Sequence, residues 1–523
     1  MSKFFSTLLS LLVVSCVLMA QTYPREGSKL NYRIIGFSFP ATPNVNKYTV
    51  EIADGSYDNE DQFKKHITQS EEINGTKAII EVPAFNAQYT WRITYKTNRT
   101  KATNKSDLHH FSIGSLPNID TNRNRLRVTT AATKYKDAFV FIDAIGVLYD
   151  MSGNPVWYLP HLPGTNETVQ PRDLKLSPFG TLTFLLGPVI YEINYDGSIL
   201  WTKQGTSQNK KGTNAPNNDY HHEFTRLSNG HYMALGFQNV LCKFPHSDDD
   251  NLQMVPDNGL QTNKDTTFKK GTCGNLTEYD EKGRRVWVWD VYRYILSSDL
   301  IYLFNKIGRS IDLHDNAFFF DEKNKHIFIS FKNINRVIEI KYPEGNVINT
   351  YGKIYDNSFK PSLKGPFGMD NDNGLFCLQH ACKLSQKGYL YLFDNGCDPN
   401  GHSKVLMIDQ TTDEQGQMKA VWEYDCDNPI KHLPMQQRSG GNVIELPDGS
   451  LFVAMDMQYS EVFIVNMEKE ILWSAVIEAF EPVKKIWRMN PSYRASIITT
   501  RKDLEQLIWN SEKNEQKPEQ LKK

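Results

Sequence analysis

The sequence predicts an all-β protein in which a small N-terminal β-sandwich precedes a six-bladed β-propeller. Period-two alternation of apolar residues marks short strands between residues 24 and 115. From residue 125 to residue 500 a strand–turn–strand unit recurs, and a second motif with a turn glycine precedes most copies. Hydrophobic residues make up 40% of the 523-residue chain and aromatics 12%, which is ample for packed cores.

Two segments carry the β-sandwich prediction for residues 24–115. "KYTVEIADG" places Tyr48, Val50 and Ile52 on one face of a strand. "QYTWRITYKTN" does the same with Tyr89 and Trp91. With two further apolar segments, this pattern is similar to that of a fibronectin type III module.

The repeats from residue 125 to residue 500 carry the propeller prediction. Six copies combine an apolar strand, a polar turn and a second strand, and five of them have Trp in the second strand. The copies are "GVLYDMSGNPVWYL", "VIYEINYDGSILWTK", "NLTEYDEKGRRVWVWD", "RVIEIKYPEGNVINTYG", "KVLMIDQTTDEQGQMKAVWEYD" and "EVFIVNMEKEILWSAV". Together with the preceding motif, each copy supplies four short strands, the content of one propeller blade. An open two-sheet sandwich is the alternative.

The preceding motif has a fixed internal spacing. It includes "RDLKLSPFGTLTFLL", "HEFTRLSNGHYMALG", "HACKLSQKGYLYLFD" and "GNVIELPDGSLFVAM", and its first residue lies eight before the turn glycine. His222 and His380 share this position, Arg172 holds it in the second blade, and His314 heads the corresponding strand between them. Because the innermost strand of every blade lines the channel of a propeller, we expect these side chains to form one level of a channel site. His221, one residue earlier, is expected to point into the blade.

Both ends of the chain have distinct compositions. Residues 1–20 carry Lys3 and then an apolar run of signal-peptide length. Val13-Val14-Ser15-Cys16 fits a lipobox that would leave Cys16 lipidated, and cleavage after Ala20 is the alternative. Either way we expect export, to the periplasm or to the outer membrane of a Gram-negative bacterium as a lipoprotein. Residues 501–523 are predicted to be a charged C-terminal tail.

Composition also bounds the partners. The net charge of −1 and the absence of a basic block in the body of the chain argue against nucleic acid. No Gly-rich phosphate-binding fingerprint follows a strand, so no cofactor is expected. The sequence contains no CxxC pair, so a structural zinc site is not expected. The remaining cysteines permit several disulfide pairings, among which the sequence does not choose: Cys242, Cys273, Cys377, Cys382, Cys397 and Cys426.

Four segments resemble the bacterial arylsulfate sulfotransferase family, whose members work without a nucleotide sulfate donor. They are "YHHEF…LSNG", "LHDNAFFFDEKNKHIFISFKNINRVIEI", "LQHACKLSQKGYLYLFDNG" and "NPSYRAS". The resemblance covers most of the chain and implies a β-sandwich followed by a six-bladed propeller with a channel site. It implies aryl sulfates and phenols as substrates, and a homodimer is compatible with it.

The resemblance also implies roles for individual residues. The nucleophile, which would carry a transient sulfohistidine, falls on His380, and groups that contact the sulfuryl group fall on His222, His314 and Asn316. The family's arginine falls on Lys332, which keeps the charge but loses the planar pair of donors. With Arg172, Lys332 would bind the sulfate oxygens. The spacing of Cys377 and Cys382 departs from the family's disulfide.

Two other functions are compatible with the same residues. Three histidines converging in a channel are also the ligands of zinc or non-haem iron enzymes, although a lysine beside a divalent metal would be repulsive. A non-catalytic binding propeller on the cell surface is the other alternative, with the change from arginine to Lys332 marking a decayed site.

Overall fold

The structure is a computed structural model, and it separates the chain into two compact units, Met1–Ser115 and Leu116–Lys523. The residues it describes are 22–97, 102–116, 123–165, 170–205, 220–243, 253–256, 268–296, 298–300, 302–303, 312–353, 375–396, 403–411, 418–426, 440–455 and 460–515. The predicted signal peptide, Cys16 and Cys397 lie outside these residues.

The N-terminal unit contains eight described strands and one short helix. They are β1 (Ser28–Leu30), β2 (Ile34–Ser38), β3 (Lys47–Asp54), α1 (Glu60–Lys65), β4 (Ile67–Asn74), β5 (Lys77–Glu81), β6 (Ala87–Lys96), β7 (Thr103–Lys105) and β8 (His109–Ile113). One sheet has the order β1-β8-β6-β3-β4 with β7 beside β6, and β2 pairs with β5 in another. Phe37 of β2 meets Trp91 of β6 edge to face, with ring centroids 5.0 Å apart. Alternation of apolar residues therefore buries one aromatic layer between the two sheets.

The C-terminal unit contains the remaining strands and a terminal helix. They are β9 (Asn124–Thr130), β10 (Phe139–Ile142), β11 (Val147–Asp150), β12 (Pro155–Tyr158), β13 (Pro171–Leu176), β14 (Leu182–Leu186), β15 (Val189–Ile193), β16 (Ile199–Gln204), β17 (Tyr220–Arg226), β18 (Tyr232–Lys243), β19 (Gln253–Pro256), β20 (Phe268–Tyr279), β21 (Arg285–Asp290), β22 (Asp315–Asp321), β23 (His326–Phe331), β24 (Arg336–Lys341), β25 (Val347–Gly352), β26 (His380–Leu384), β27 (Leu390–Asp394), β28 (Lys404–Ile408), β29 (Ala420–Asp425), β30 (Asn442–Glu445), β31 (Leu451–Ala454), β32 (Glu461–Val465), β33 (Ile471–Glu481), β34 (Ile486–Met489), β35 (Ala495–Ile498) and α2 (Arg501–Glu515). Short 3-10 turns span Val291–Arg293 and Lys332–Ile334.

These strands form six described sheets, which we number along the chain. Sheet 1 has the order β12-β11-β10-β35, sheet 2 is β13-β14-β15-β16, sheet 3 is β17-β18-β20-β21 with β19 beside β18, sheet 4 is β22-β23-β24-β25, sheet 5 is β26-β27-β28-β29, and sheet 6 is β30-β31-β32-β33-β34 with β9 beside β33. The predicted all-β class is confirmed. In sheets 2, 4 and 5 the second and third strands are almost wholly buried, while the fourth strand is mostly exposed or half-buried.

Sheet 1 combines strands from both ends of the unit. β35 pairs antiparallel with β10, in a register that sets Phe139 opposite Ile498 and Ile142 opposite Ala495. Contacts between strands join consecutive sheets: β13 and β35 join sheets 1 and 2, β14 and β17 join sheets 2 and 3, β17 and β22 join sheets 3 and 4, β22 and β26 join sheets 4 and 5, and β27 and β30 join sheets 5 and 6. Sheet 6 also contacts sheet 1, through β31 and β35. The first strands of sheets 2 to 6 also contact one another in order: β13 contacts β17, β17 contacts β22, β22 contacts β26, and β26 contacts β30.

Side chains bind backbone groups of the following sheet at each of these six junctions, and we call this set the inter-sheet ring. Three carboxylates accept N–H groups: Asp143 from Asp173 (2.6 Å), Asp173 from Phe224 (3.0 Å) and Glu223 from Phe318 (3.0 Å). Three amides donate to carbonyls: Asn316 to Gln379 (2.7 Å), Asn395 to Gly440 (3.1 Å) and Asn442 to Ala495 (2.9 Å). Each of these bonds pairs a buried backbone group with a side chain of the neighbouring sheet.

The prediction of a charged tail from residue 501 is wrong for its first part, where α2 spans Arg501–Glu515. Leu504, Leu507 and Ile508 are buried on one side of this helix, because their spacing repeats with the helical period. The Ser511 hydroxyl accepts the N–H of Tyr195 at 2.7 Å. Because most residues of this segment are charged or polar, its composition did not indicate an apolar face. None of the helices that the structure describes is long and apolar enough to cross a membrane.

Candidate active site

β-Bulges at the heads of four neighbouring strands shape the candidate site. The pairing register breaks after Arg172 in β13, after Tyr220 in β17, after Asp315 in β22 and after His380 in β26. His222 (φ 57°) and His314 (φ 59°) adopt left-handed backbone conformations at or beside these breaks. A bulge re-aims side chains that strict alternation would send to opposite faces. Neighbouring residues such as His221 and His222 can therefore both serve one buried site.

The structure brings together side chains from several sheets, and we call His221, His222, His314, His380 and Tyr493 the histidine cluster. The ring of His222 lies 5.1 Å from that of His314 and 5.7 Å from that of Tyr493, measured between centroids. His380 lies 6.2 Å from Tyr493. Tyr493 thus links the histidines of sheets 3 and 5, which are not adjacent.

His380 is wholly buried, with 0% of its surface exposed. Its Nδ1 lies 2.7 Å from Asn395 Oδ1 and 3.0 Å from the carbonyl of Leu378, and its Nε2 accepts the N–H of Gly440 at 3.0 Å. Two acceptors at Nδ1 and a donor at Nε2 fix the tautomer with its proton on Nδ1. Burial lowers the pKa of His380 well below its usual value, and the charge of Lys332 lowers it further. A neutral imidazole with its lone pair on Nε2 follows.

His222 and His221 are buried side by side. Their Nδ1 atoms lie 2.6 Å apart, and the His221 ring stacks on Phe237 of β18 with centroids 3.7 Å apart. Burial lowers the pKa of both imidazoles, that of His221 to about 3. Both rings are therefore neutral near neutral pH, and one proton is shared between the facing nitrogens.

The other predicted site residues lie at different depths. His314 is partly open, with 32% of its side chain exposed, and its Nδ1 is 3.2 Å from the carboxylate of Asp312. Arg172 is exposed, and its guanidinium lies 5.4 Å from the centre of the Tyr493 ring. Lys332 begins the 3-10 turn after β23, and its N–H donates to the carbonyl of His314 at 3.1 Å.

Asn316 is placed differently from a group that lines an open channel. Its side chain is 0% exposed and its amide nitrogen donates to Gln379 in the inter-sheet ring. Among the described residues its Oδ1 has no hydrogen-bond partner. An acceptor oxygen cannot bind a sulfate oxygen, so only the second N–H of this amide is available for a sulfuryl group.

Sequence reasoning missed three residues that complete the site. Asn395 fixes the tautomer of His380, Tyr493 packs between the histidines, and Arg494 is buried beside them. Arg494 binds Asp173 at 3.0 Å and the carbonyl of Asn316 at 2.8 Å, and lies 3.5 Å from Glu223. The "NPSYRAS" and "FDNG" segments that carried the resemblance contain all three, and this was the available signal.

Among the described residues, Cys377 and Cys382 form no disulfide with each other and no group of side chains is arranged as a metal site. Cys377 is disulfide-bonded, while Cys382 is a free thiol, so Cys377 and Cys382 are not paired with each other. In the part of the chain that the structure describes, no group of three or more His, Cys, Asp or Glu residues is arranged to hold a metal ion.

Comparison with known proteins identifies the family. The family model Arylsulfotransferase (ASST) matches residues 124–429, and the chain belongs to this family. The predicted resemblance is therefore confirmed, and membership supports an aryl sulfotransferase activity in general, with aryl sulfates and phenols as the substrate classes. No curated protein matches the chain.

Several solved structures have a low similarity to this chain. A protein of unknown function from Bacteroides caccae is 11% identical, with 72% of this chain and 99% of that chain covered and a TM-score of 0.39. Apo AztD from Citrobacter koseri is 9% identical, with 87% and 98% covered and a TM-score of 0.31. The periplasmic gluconolactonase PpgL from Pseudomonas aeruginosa is 9% identical, with 87% and 99% covered and a TM-score of 0.26. At these TM-scores the similarity defines neither a shared architecture nor a shared activity.

Proposed function

We propose that this protein transfers a sulfuryl group from an aryl sulfate to a phenol by a ping-pong mechanism through a sulfohistidine on His380. The proposal rests on the protonation state and tautomer of His380. A neutral imidazole with its proton held on Nδ1 by Asn395 has its nucleophilic lone pair on Nε2. As the Nε2–S bond forms, positive charge develops on the ring, and the Asn395 oxygen stabilises it.

In the first half-reaction, Nε2 of His380 attacks sulfur and the S–O bond to the aryl group breaks. The phenolate leaves with the electron pair and takes a proton from His222 or His314. In the second, an acceptor phenol loses its proton to the same histidine and its oxygen attacks sulfur. The S–N bond then breaks and its electron pair returns to Nε2.

Charge stabilisation comes from groups around the sulfuryl oxygens. Negative charge spreads over these oxygens in a loose transition state, so positioned donors and cations supply most of the catalysis. Lys332 and Arg172 are the candidate cations. Gly440 N–H occupies Nε2 of His380 at 3.0 Å, so donor binding displaces this hydrogen bond and frees the N–H for a sulfuryl oxygen.

We also propose a six-bladed propeller for the C-terminal unit, preceded by the β-sandwich of residues 24–115. Six described sheets in cyclic contact, joined by the inter-sheet ring, support this architecture. Export to the periplasm, or to the outer membrane through a lipidated Cys16, is part of the proposal and is supported by the composition of residues 1–20.

Mass spectrometry after mixing with 4-nitrophenyl sulfate tests the mechanism. We expect a mass increase of about 80 Da, the mass of SO3, on His380 and its loss on addition of a phenol. His380→Asn should show neither the adduct nor transfer, while His326→Gln, a histidine bound to Glu339 outside the site, should behave as wild type. Turnover without an adduct would contradict the covalent mechanism, and turnover that requires added metal would favour the metal enzyme. No turnover with any aryl sulfate would favour the binding module.

A further inference from the structure

Two buried polar atoms at the histidine cluster face each other without hydrogen-bond partners. Nε2 of His221 and Oδ2 of Asp315 lie 3.6 Å apart, and neither has a partner among the described residues. Both side chains are more than nine-tenths buried. An unsatisfied buried polar atom costs stability, so a facing pair of this kind calls for a functional explanation.

The chain is shaped to hold Asp315 in this position. Its carboxylate rests directly on Gly274 of β20, where an added Cβ would collide with both carboxylate oxygens. The ring of His221 is fixed from the other side by its stacking on Phe237. A movement of roughly half an ångström would bring the two atoms within hydrogen-bond distance.

His221 connects this carboxyl group to His222. The two Nδ1 atoms lie 2.6 Å apart, a hydrogen bond that contains one proton. The sequence of atoms is therefore Asp315 Oδ2, His221 Nε2, His221 Nδ1, His222 Nδ1 and His222 Nε2. Each imidazole can accept a proton at one nitrogen while it releases a proton from the other.

We propose that Asp315, His221 and His222 form a proton relay in which Asp315 stores the proton that His222 exchanges with the phenol oxygen. The relay rests on the proposed sulfuryl transfer. His222 is the group that contacts the substrate, and Asp315 and His221 act through it as positioning residues.

The proton transfers balance in both half-reactions. Before donor cleavage Asp315 is protonated, His221 carries its proton on Nδ1 and His222 on Nε2. His222 gives its proton to the departing phenolate, receives that of His221, and His221 receives that of Asp315, which becomes a carboxylate. Deprotonation of the acceptor phenol reverses every transfer, so no imidazolium persists and the starting state is restored.

The surroundings agree with this assignment. Burial raises the pKa of Asp315 well above its usual value, and the charge of Asp312 adds to the effect. Cys273 is the neighbour of Gly274, on which the Asp315 carboxylate rests; burial raises the pKa of its thiol, and the charge of Asp315 raises it further. Burial is the main cause that lowers the pKa of both histidines. His314 and Arg172 lower that of His221 further, while a hydrogen bond to the Gly236 backbone and the charge of Asp312 raise it. His221, His314, Arg494 and His380 all lower the pKa of His222. The carboxyl group is thus the member of the relay best suited to retain a proton.

The dependence of rate on the leaving group tests the relay in the full-length protein. Asp315→Asn keeps the shape of the neutral acid but cannot release a proton. For phenyl sulfate, whose phenolate is a poor leaving group, we expect kcat/KM to fall by about 100-fold. For 4-nitrophenyl sulfate, whose phenolate leaves without a proton, it should change little. A purely structural role would slow both donors equally.

Three further variants make the result decisive. His221→Phe preserves stacking on Phe237 and removes both nitrogens, and it should reproduce the loss seen with phenyl sulfate. The double variant should lose no more than either single one, since the residues act as a unit. Cys273→Ser, beside Asp315 but outside the relay, should retain the wild-type ratio of the two donors.

Stability separates a catalytic defect from a folding defect. Because the amide of an asparagine side chain resembles the protonated acid in shape, thermal unfolding of the Asp315→Asn variant should match or exceed the wild-type Tm. Equal kcat/KM for wild type and Asp315→Asn with phenyl sulfate would overturn the relay while leaving the sulfohistidine intact. Absence of the adduct in wild type would instead contradict the proposed function itself.

Discussion

The histidine cluster and the inter-sheet ring are built from adjacent residues yet differ in how their polar atoms are satisfied. His222 belongs to the histidine cluster. Glu223, the next residue, belongs to the ring and accepts the N–H of Phe318 in the neighbouring sheet. Ring members bind backbone groups across a junction, whereas in the cluster the Nδ1 atoms of His221 and His222 face each other and Nε2 of His221 has no partner among the described residues. We infer that one level of the strands holds the sheets together and the adjacent level is left for chemistry.

The largest effect on stability is expected from Arg494→Met. Arg494 is buried against Asp173 and Glu223, so its removal leaves two buried carboxylates without this cation. Breaking a buried ion pair typically costs about 3–5 kcal/mol, and we expect urea unfolding to show a loss of this size. Arg172→Met is the matched control, because this exposed arginine should cost less than about 1 kcal/mol. Equal stability of the two variants would contradict the division into two levels.

Lys332→Met should affect catalysis instead of stability. Removing one cation that contacts the transition-state oxygens typically lowers kcat by about 100-fold. Steady-state transfer from 4-nitrophenyl sulfate measures this loss, while the Tm should stay near that of wild type. Lys332→Arg should retain activity, and Lys341→Met, an exposed lysine of the same sheet, should be neutral. Full activity of Lys332→Met would remove this residue from the proposed site.

Asn442→Ala should have the smallest effect, and it compares a neutral member of the ring with Arg494, the cation that binds two charged members. Its amide makes one hydrogen bond to the carbonyl of Ala495, and loss of such a bond costs about 1–2 kcal/mol. Urea unfolding measured beside Arg494→Met should show the smaller loss. A cost as large as that of Arg494→Met would mean that sheet 6 and sheet 1 depend on this single contact.

The repeat phase was sufficient to predict which strands supply the histidines. His222, His314 and His380 were placed at equivalent positions because each heads a strand of the repeated motif. The same reasoning could not find the bulges, since a left-handed residue such as His222 leaves no mark on hydrophobic alternation. Alternation alone therefore predicts that His221 points into the blade and only supports His222 from there.

Contacts between distant parts of the chain are the second feature that the sequence pattern could not predict. Tyr493 and Arg494 directly precede the strand that pairs with β10, more than three hundred residues earlier. No local pattern reports such a pairing, and only the resemblance of "NPSYRAS" pointed to it. The helix Arg501–Glu515 was missed for a different reason, because a surface of charged residues outweighed three buried apolar ones.

The placement of β35 has a consequence for when the protein becomes competent during its synthesis. The strand that completes sheet 1 also delivers Tyr493 and Arg494, and it is the last described strand to leave the ribosome. Long-range pairing of this kind closes late, because the entropy of a large loop must be overcome first. Completion of the fold and completion of the site are therefore one event, and a nascent chain released or cleaved before Tyr493 has neither.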